Sequence, residues 1–164
     1  MRQPLSRTSA ALGTAALIAL LVLVPVRAQG TKDIVDVAVA AGSFKTLVAA
    51  VQAANLVDVL KRPGPLTVLA PTDEAFAKIP KADLDALMKD KVKLAAVLQY
   101  HVLAGNVAAA DLKMMKDFGT VQGQRIQISS AGTSLKINNA TIVKADISAS
   151  NGVIHVIDTV LMPK

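Results

Sequence analysis

The stretch Val153 to Leu161 is apolar on both of the faces that a β-strand presents, so the chain must build a fold in which this strand is central and covered on each side. A second segment, Leu66-Thr67-Val68-Leu69-Ala70-Pro71-Thr72-Asp73-Glu74-Ala75-Phe76, reads as a short strand running into a helix. Pro71 has no N–H to give to a ladder, so the strand ends there. Thr72 suits the N-cap position, where its hydroxyl accepts from a first-turn N–H. Asp73 and Glu74 follow with negative charge where the helix dipole favours it, and Ala75 and Phe76 turn an apolar side inward.

The rest of the chain divides into a helical part and a strand part. Asp33 opens a short helical pattern ending near Ala41, and Ser43 reads as the N-cap of a second helix whose inner face is Phe44, Leu47, Val48 and Val51. Asn55 closes it, Val57 to Leu60 adds a turn, and Arg62-Pro63-Gly64-Pro65 is a loop. Lys78-Ile79-Pro80 breaks the chain before a helix that carries Leu84, Leu87 and Met88 on one side. The next helix begins at Lys91, turns Leu94, Val97, Leu98 and His101 inward, and is ended by Ala104-Gly105-Asn106; Ala108 to Met115 adds a further helical turn or two. From Phe118 the period changes from 3.6 to 2, with strands over 125–129, 134–138, 141–147 and 153–161 and turns at Ala131-Gly132, Asn138-Asn139 and Asn151-Gly152. Helices first and strands later predict an α+β fold.

Leu-Ala-Pro-Thr-Asp-x-Ala-Phe at 69–76, followed by Gly-x-Ile-His-x-Ile-Asp-x-Val-Leu-x-Pro at 152–163, resembles the two signature segments of the fasciclin-like domain, and Tyr100-His101 matches a third family feature. The resemblance spans about Asp33 to Pro163. It implies a compact β-sandwich wedge with several short helices packed against one side, in a family made up mostly of adhesion and matrix modules. Its motif positions fall on Thr72, Asp73, Phe76, Tyr100, His101, His155 and Asp158. In animal members a tyrosine-histidine region is associated with integrin engagement. The chain departs from larger members in having one domain and no Arg-Gly-Asp.

The 164 residues leave room for one domain and a targeting segment. Arg2 and Arg7, the apolar run Ala10 to Val24, and Val26-Arg27-Ala28 have the layout of a secretory signal peptide over 1–28, cleaved after Ala28. A membrane span needs about 20 apolar residues, and this run is shorter and meets Pro25. Cleavage leaves a leader at 29–32 and a domain at 33–164, with 15 basic against 12 acidic residues. That balance is too mild to point to nucleic acid. There is no cysteine, so neither a disulfide nor a lipid-modified cysteine can form. With three Phe, one Tyr and no Trp, the core must be aliphatic, and aromatic platforms for bases or sugars are missing.

No catalytic, cofactor or metal site is expected: the two histidines, His101 and His155, lie far apart without a local carboxylate or second ligand, and no Gly-x-Ser-x-Gly elbow occurs. His101 reads as a buried, hydrogen-bonded imidazole, and Asp158 as an acceptor for backbone groups or for Thr72 or Thr67 across the two motifs. Lys78, Lys81, Lys89, Lys91 and Lys93 lie in a segment of alternating charge that reads as a solvated face, and they are the candidates for binding an acidic envelope polymer. Asn139-Ala140-Thr141 fits a glycosylation sequon. The expectation is thus an exported, monomeric, non-catalytic adhesion module for a cell-envelope or matrix protein or polysaccharide, secreted or periplasmic, with no stable membrane span after cleavage. Two alternatives remain: a small-molecule or lipid carrier with an apolar cleft, and a hydrolase assembled around an exposed His101.

Overall fold

In the computed structural model the described residues are 32–164, so the expected signal segment and its cleavage after Ala28 lie outside them. Asp33 opens α1 (Ile34–Ala41) by accepting the Asp36 N–H at 2.9 Å. Then come α2 (Lys45–Ala53), closed by Asn55 in the left-handed region, and the short α3 (Val57–Lys61). The first motif forms β1 (Leu66–Pro71) and α4 (Asp73–Ala77); α5 (Lys81–Lys89) and α6 (Lys91–Tyr100) follow. The remaining elements are β2 (Val102–Ala104), α7 (Ala109–Met114), β3 (Asp117–Gly119), β4 (Arg125–Ala131), β5 (Ser134–Ile137), β6 (Ala140–Ala149) and β7 (Gly152–Ile157). No helix among the described residues is long and apolar enough to cross a membrane.

The seven strands form one sheet in the order β2-β1-β7-β6-β5-β4-β3. The two signature segments are therefore direct neighbours: β1 and β7 pair in parallel from Leu66 opposite Gly152 to Pro71 opposite Ile157, while every other pairing is antiparallel. An isolated bridge between Leu103 and Thr120 links the two ends of the sheet and nearly closes it. Two register shifts in β6, between Ile142 and Lys144 and between Lys144 and Ile147, supply the irregularity that lets a sheet bend this far. The wedge implied by the resemblance is thus a single sheet curled on itself, with α1 to α6 packed on its outer face and α7 contributing Leu112 to the inner cluster.

The parity of the central strands sorts the core into two layers. Val68 and Ala70 of β1 and Ile154 and Val156 of β7 pack against the helices with Leu47, Val51, Phe76 and Leu94. Leu69 and Ile157 point the other way, into a cluster with Leu103, Leu112, Ile126 and Ile137 inside the curled sheet. That is why both faces of β7 are apolar.

Two expectations need correction. Strand β7 ends at Ile157 rather than Leu161, because Asp158 turns to Thr141 and the chain then delivers Val160 to the outer cluster and Leu161 to the inner one. The residues after His101 are strand β2, not a helix end; three apolar residues behind a helix carry no strand period of their own, and β1 supplies the partner.

At Gly152 the backbone of β1 comes so close that a methyl group would overlap the Leu66 carbonyl. Gly152→Ala is expected to destabilise the fold by at least the upper end of the roughly 1–3 kcal/mol typical of overpacking. Chemical denaturation checks this, with Gly119→Ala, where nothing lies nearby, as the control.

Candidate functional site

The residues of the first motif knit α4 to α2. Thr72 caps α4, its Oγ1 accepting the Ala75 N–H at 3.2 Å, and Phe76 is buried in the outer core. Asp73 reaches 28 positions back: its carboxylate accepts the N–H of Thr46 at 2.8 Å and of Lys45 at 3.3 Å, while its own N–H donates to the Ser43 carbonyl at 2.9 Å. Ser43 is therefore not the side-chain cap of α2. The N-cap position is Phe44, and Asp73 supplies the missing acceptor from another element. Burial raises the Asp73 carboxyl, but the hydrogen bonds from Thr46 and Lys45 outweigh it and hold the group below its ordinary range.

The central pair is likewise engaged inside the fold. The Tyr100 hydroxyl donates to the Arg125 carbonyl at 3.3 Å and accepts from Asn138 Nδ2 at 3.0 Å. His101, 2% exposed, is the C-cap of α6. Its Nδ1 lies 2.7 Å from the Val97 carbonyl and its Nε2 accepts the Leu161 N–H at 2.9 Å, so the ring proton sits on Nδ1. Burial pushes His101 down to about 4, against the Val97 hydrogen bond, which favours the charged form. With both nitrogens engaged and no carboxylate among these partners, His101 offers no general base, and the hydrolase alternative falls.

The second motif is engaged in the same manner. His155, fully buried on β7, accepts the Asp146 N–H on Nδ1 at 3.2 Å and places Nε2 2.8 Å from the Val107 carbonyl. Asp146 lies in the irregular part of β6 with φ 57°, which turns its N–H away from the ladder. Asp158 accepts the Thr141 N–H at 2.8 Å and the Thr159 hydroxyl at 3.1 Å. Burial raises its carboxyl; the bonds from Thr141 and Thr159 and the charge of Lys78 more than offset this and leave it lowered. It does not meet Thr72 or Thr67. Thr67 is satisfied elsewhere, donating to the Gly105 carbonyl at 2.8 Å and accepting the Val107 N–H at 2.9 Å. Among the described residues no buried side-chain nitrogen or oxygen lacks a partner, and no cluster of three or more His, Asp or Glu could hold a metal.

The lysines separate into two sets. Lys78 bridges the motifs, donating to the Asp158 carbonyl at 2.7 Å with the Asp158 carboxylate 3.7 Å away. Lys81, Lys89, Lys91 and Lys93 are exposed on α5 and α6; Lys93 lies 3.7 Å from Asp90, the N-cap of α6, and the other three have no ion pair among the described residues. Two features were invisible in the sequence. Asn151 ties three elements together, accepting the Ile34 N–H at 3.0 Å and donating to the carbonyls of Leu60 (2.6 Å) and Arg62 (3.3 Å). An Asn-Gly pair signals only a turn. The second is a cavity of about 310 Å³ between α1–α3 and the sheet, walled mainly by aliphatic side chains, with Arg62 and the Pro63-Gly64-Pro65 loop along its lining. Its walls come from separate parts of the chain, so no local pattern announces it.

The fasciclin domain family model matches residues 42–163. An uncharacterized protein of Synechocystis sp. is 48% identical over 130 residues, covering 79% of this chain and 97% of that protein. Transforming growth factor-beta-induced protein ig-h3 of Sus scrofa is 36% identical over 130 residues, 79% of this chain but 19% of its own length. Among solved structures, the FAS1 domain pair of the insect cell adhesion molecule fasciclin I superposes with a TM-score of 0.60 at 20% identity, over 74% of this chain and 46% of that one.

Replacing Asp73 by Ala leaves two first-turn N–H groups of α2 without their acceptor and is expected to cost about 1–2 kcal/mol. Glu74→Ala, at an exposed neighbour, should change stability by less than about 0.5 kcal/mol in the same urea titration. His101 makes the fold acid-sensitive. Its folded value of about 4 lies below the ordinary 6.5, so between these the unfolded chain binds a proton that the folded chain does not. Stability should therefore fall by about 3 kcal/mol as pH drops from 6.5 to 4 and the His101 contribution should level off below that. Asp73 and Asp158, both lowered, add losses in the same direction at still lower pH, as each is protonated. Unfolding free energies measured across this range should lose most of the slope above pH 4 in His101→Gln.

Proposed function

Because the chain belongs to the fasciclin domain family, we propose that it is an exported, monomeric and non-catalytic binding module that contacts a cell-envelope or matrix protein or polysaccharide through its surface. One observation carries this reading: the polar groups of the motifs are engaged within the fold, so a partner would meet other charges, and Lys81, Lys89, Lys91 and Lys93 place four exposed cations on the consecutive helices α5 and α6. Lys91 and Lys93 occupy the first turn of α6, where positive charge is disfavoured by the helix dipole, so they add nothing to that helix by their position. Val92, 80% exposed between them, adds apolar contact area. Likeness to a domain pair from a cell adhesion molecule supports the reading as an analogy of fold. A single small interface is weak, so attachment would depend on dense display of many copies.

The second reading, a carrier of a small apolar molecule, is favoured by the cavity behind α1–α3, whose lining holds few polar side chains.

The test is retention of envelope material on immobilised protein at low and high salt, read by mass spectrometry. Wild type is expected to retain a protein or acidic polysaccharide that high salt releases, and the Lys91→Glu/Lys93→Glu variant to retain several-fold less. The variant should fold normally, because both changes put negative charge in a helix's first turn. Equal retention by the two proteins would remove the lysine face from the interface; no specific retention by either would overturn the adhesion reading.

A further inference from the structure

We infer that the cavity between α1–α3 and the sheet is a binding site for a slim amphiphile with an apolar body and a carboxylate head, and that the Arg62 guanidinium receives the head. This rests on the second reading above, that the cavity takes a small molecule at all.

The body of such a ligand follows from the walls. Val48 and Val51 of α2, Leu60 of α3, Val68 of β1 and Ile154 of β7 line the space. Its volume of about 310 Å³ is at the lower end of the roughly 300–1,000 Å³ usual for ligand sites, which fits one short chain or a single ring system. Water gains little there, since a stable buried water needs two to four polar partners. The lining side chains that carry polar atoms are Arg62, Gln99 and His101, and both His101 nitrogens already have partners. An apolar occupant restores the dispersion contacts that an empty cavity forfeits.

The head follows from the charge. Lys61 is held by Asp33 at 3.4 Å and Asp36 at 3.8 Å. Arg62, the next residue, has no carboxylate within ion-pair distance among the described residues. Its backbone is held all the same, the Arg62 carbonyl accepting from Asn151 Nδ2 at 3.3 Å. Pro63 and Pro65 then restrict the loop that follows, so Arg62 sits on an anchored rim of the cavity. An always-charged fork of N–H donors beside an apolar cavity is complementary to a carboxylate on an apolar body.

The experiment titrates residues 29–164, the chain expected after signal cleavage, with sodium decanoate and with decanol, reading affinity by calorimetry and position by amide NMR shifts. Decanoate is expected to bind one to one and to shift the Val48, Val51 and Ile154 amides, with decanol weaker. Arg62→Gln, at an exposed position, should weaken decanoate about tenfold and leave decanol unchanged. Val48→Phe, which fills the cavity from a half-buried position, should weaken both. Decanol binding as tightly as decanoate, with Arg62→Gln without effect, overturns the carboxylate assignment and leaves the carrier reading standing. Binding of neither ligand, or binding with shifts away from these residues, overturns both.

Discussion

The parallel pairing of β1 with β7 is the contact on which the other parts depend. These strands are 80 or more positions apart and pair over six residues of each. Together they form the partition between two cores: alternate residues of both strands face the helices, and the rest face the interior of the curled sheet. Such a partition requires the two backbones to run close in a fixed register, because a slip by one residue would exchange the two faces. At Gly152, opposite Leu66, the two backbones leave no room for a methyl group.

Around this partition the polar residues of the motifs act as ties between elements. Asp73 ties the start of α4 to the start of α2, donating its N–H to the Ser43 carbonyl and accepting the N–H groups of Lys45 and Thr46 on its carboxylate. His101 holds the end of α6 to the segment after β7, and His155 holds the irregular part of β6 and the stretch before α7 to β7 itself. In each case a buried ring or a half-buried carboxylate satisfies backbone groups that the regular ladders and helices leave over. The same engagement explains the acid sensitivity: a ring that accepts a backbone N–H on one nitrogen cannot take a second proton without breaking that tie. Groups so committed are poor candidates for chemistry.

The residues that hold the fold and the residues that present charge at the surface are different sets. The side chains of Asp73, Tyr100, His101, His155 and Asp158 bond within the fold, whereas Lys81, Lys89 and Lys91 on α5 and α6 and Arg62 beside the apolar cavity are exposed charges without an ion pair among the described residues. A fold held by its motifs can vary those outer features without disturbing the core, since surface charges contribute little to stability.

The sequence by itself determined most of the elements and the family. The i, i+3, i+4 pattern of α2, the two-residue period after Phe118, Pro71 ending β1 and the two-faced apolarity of β7 are local signals, each fixed by a few adjacent side chains. Tertiary structure alone decided who satisfies whom. Asp73 rather than Ser43 serves α2, Thr141 rather than Thr72 or Thr67 serves Asp158, and β2 exists because β1 lies beside it. The cavity belongs to the same class, because its walls are drawn from helices and strands distant in sequence. Hydrogen-bond partners and voids are properties of surfaces that meet in space, and a chain displays only the order of its residues.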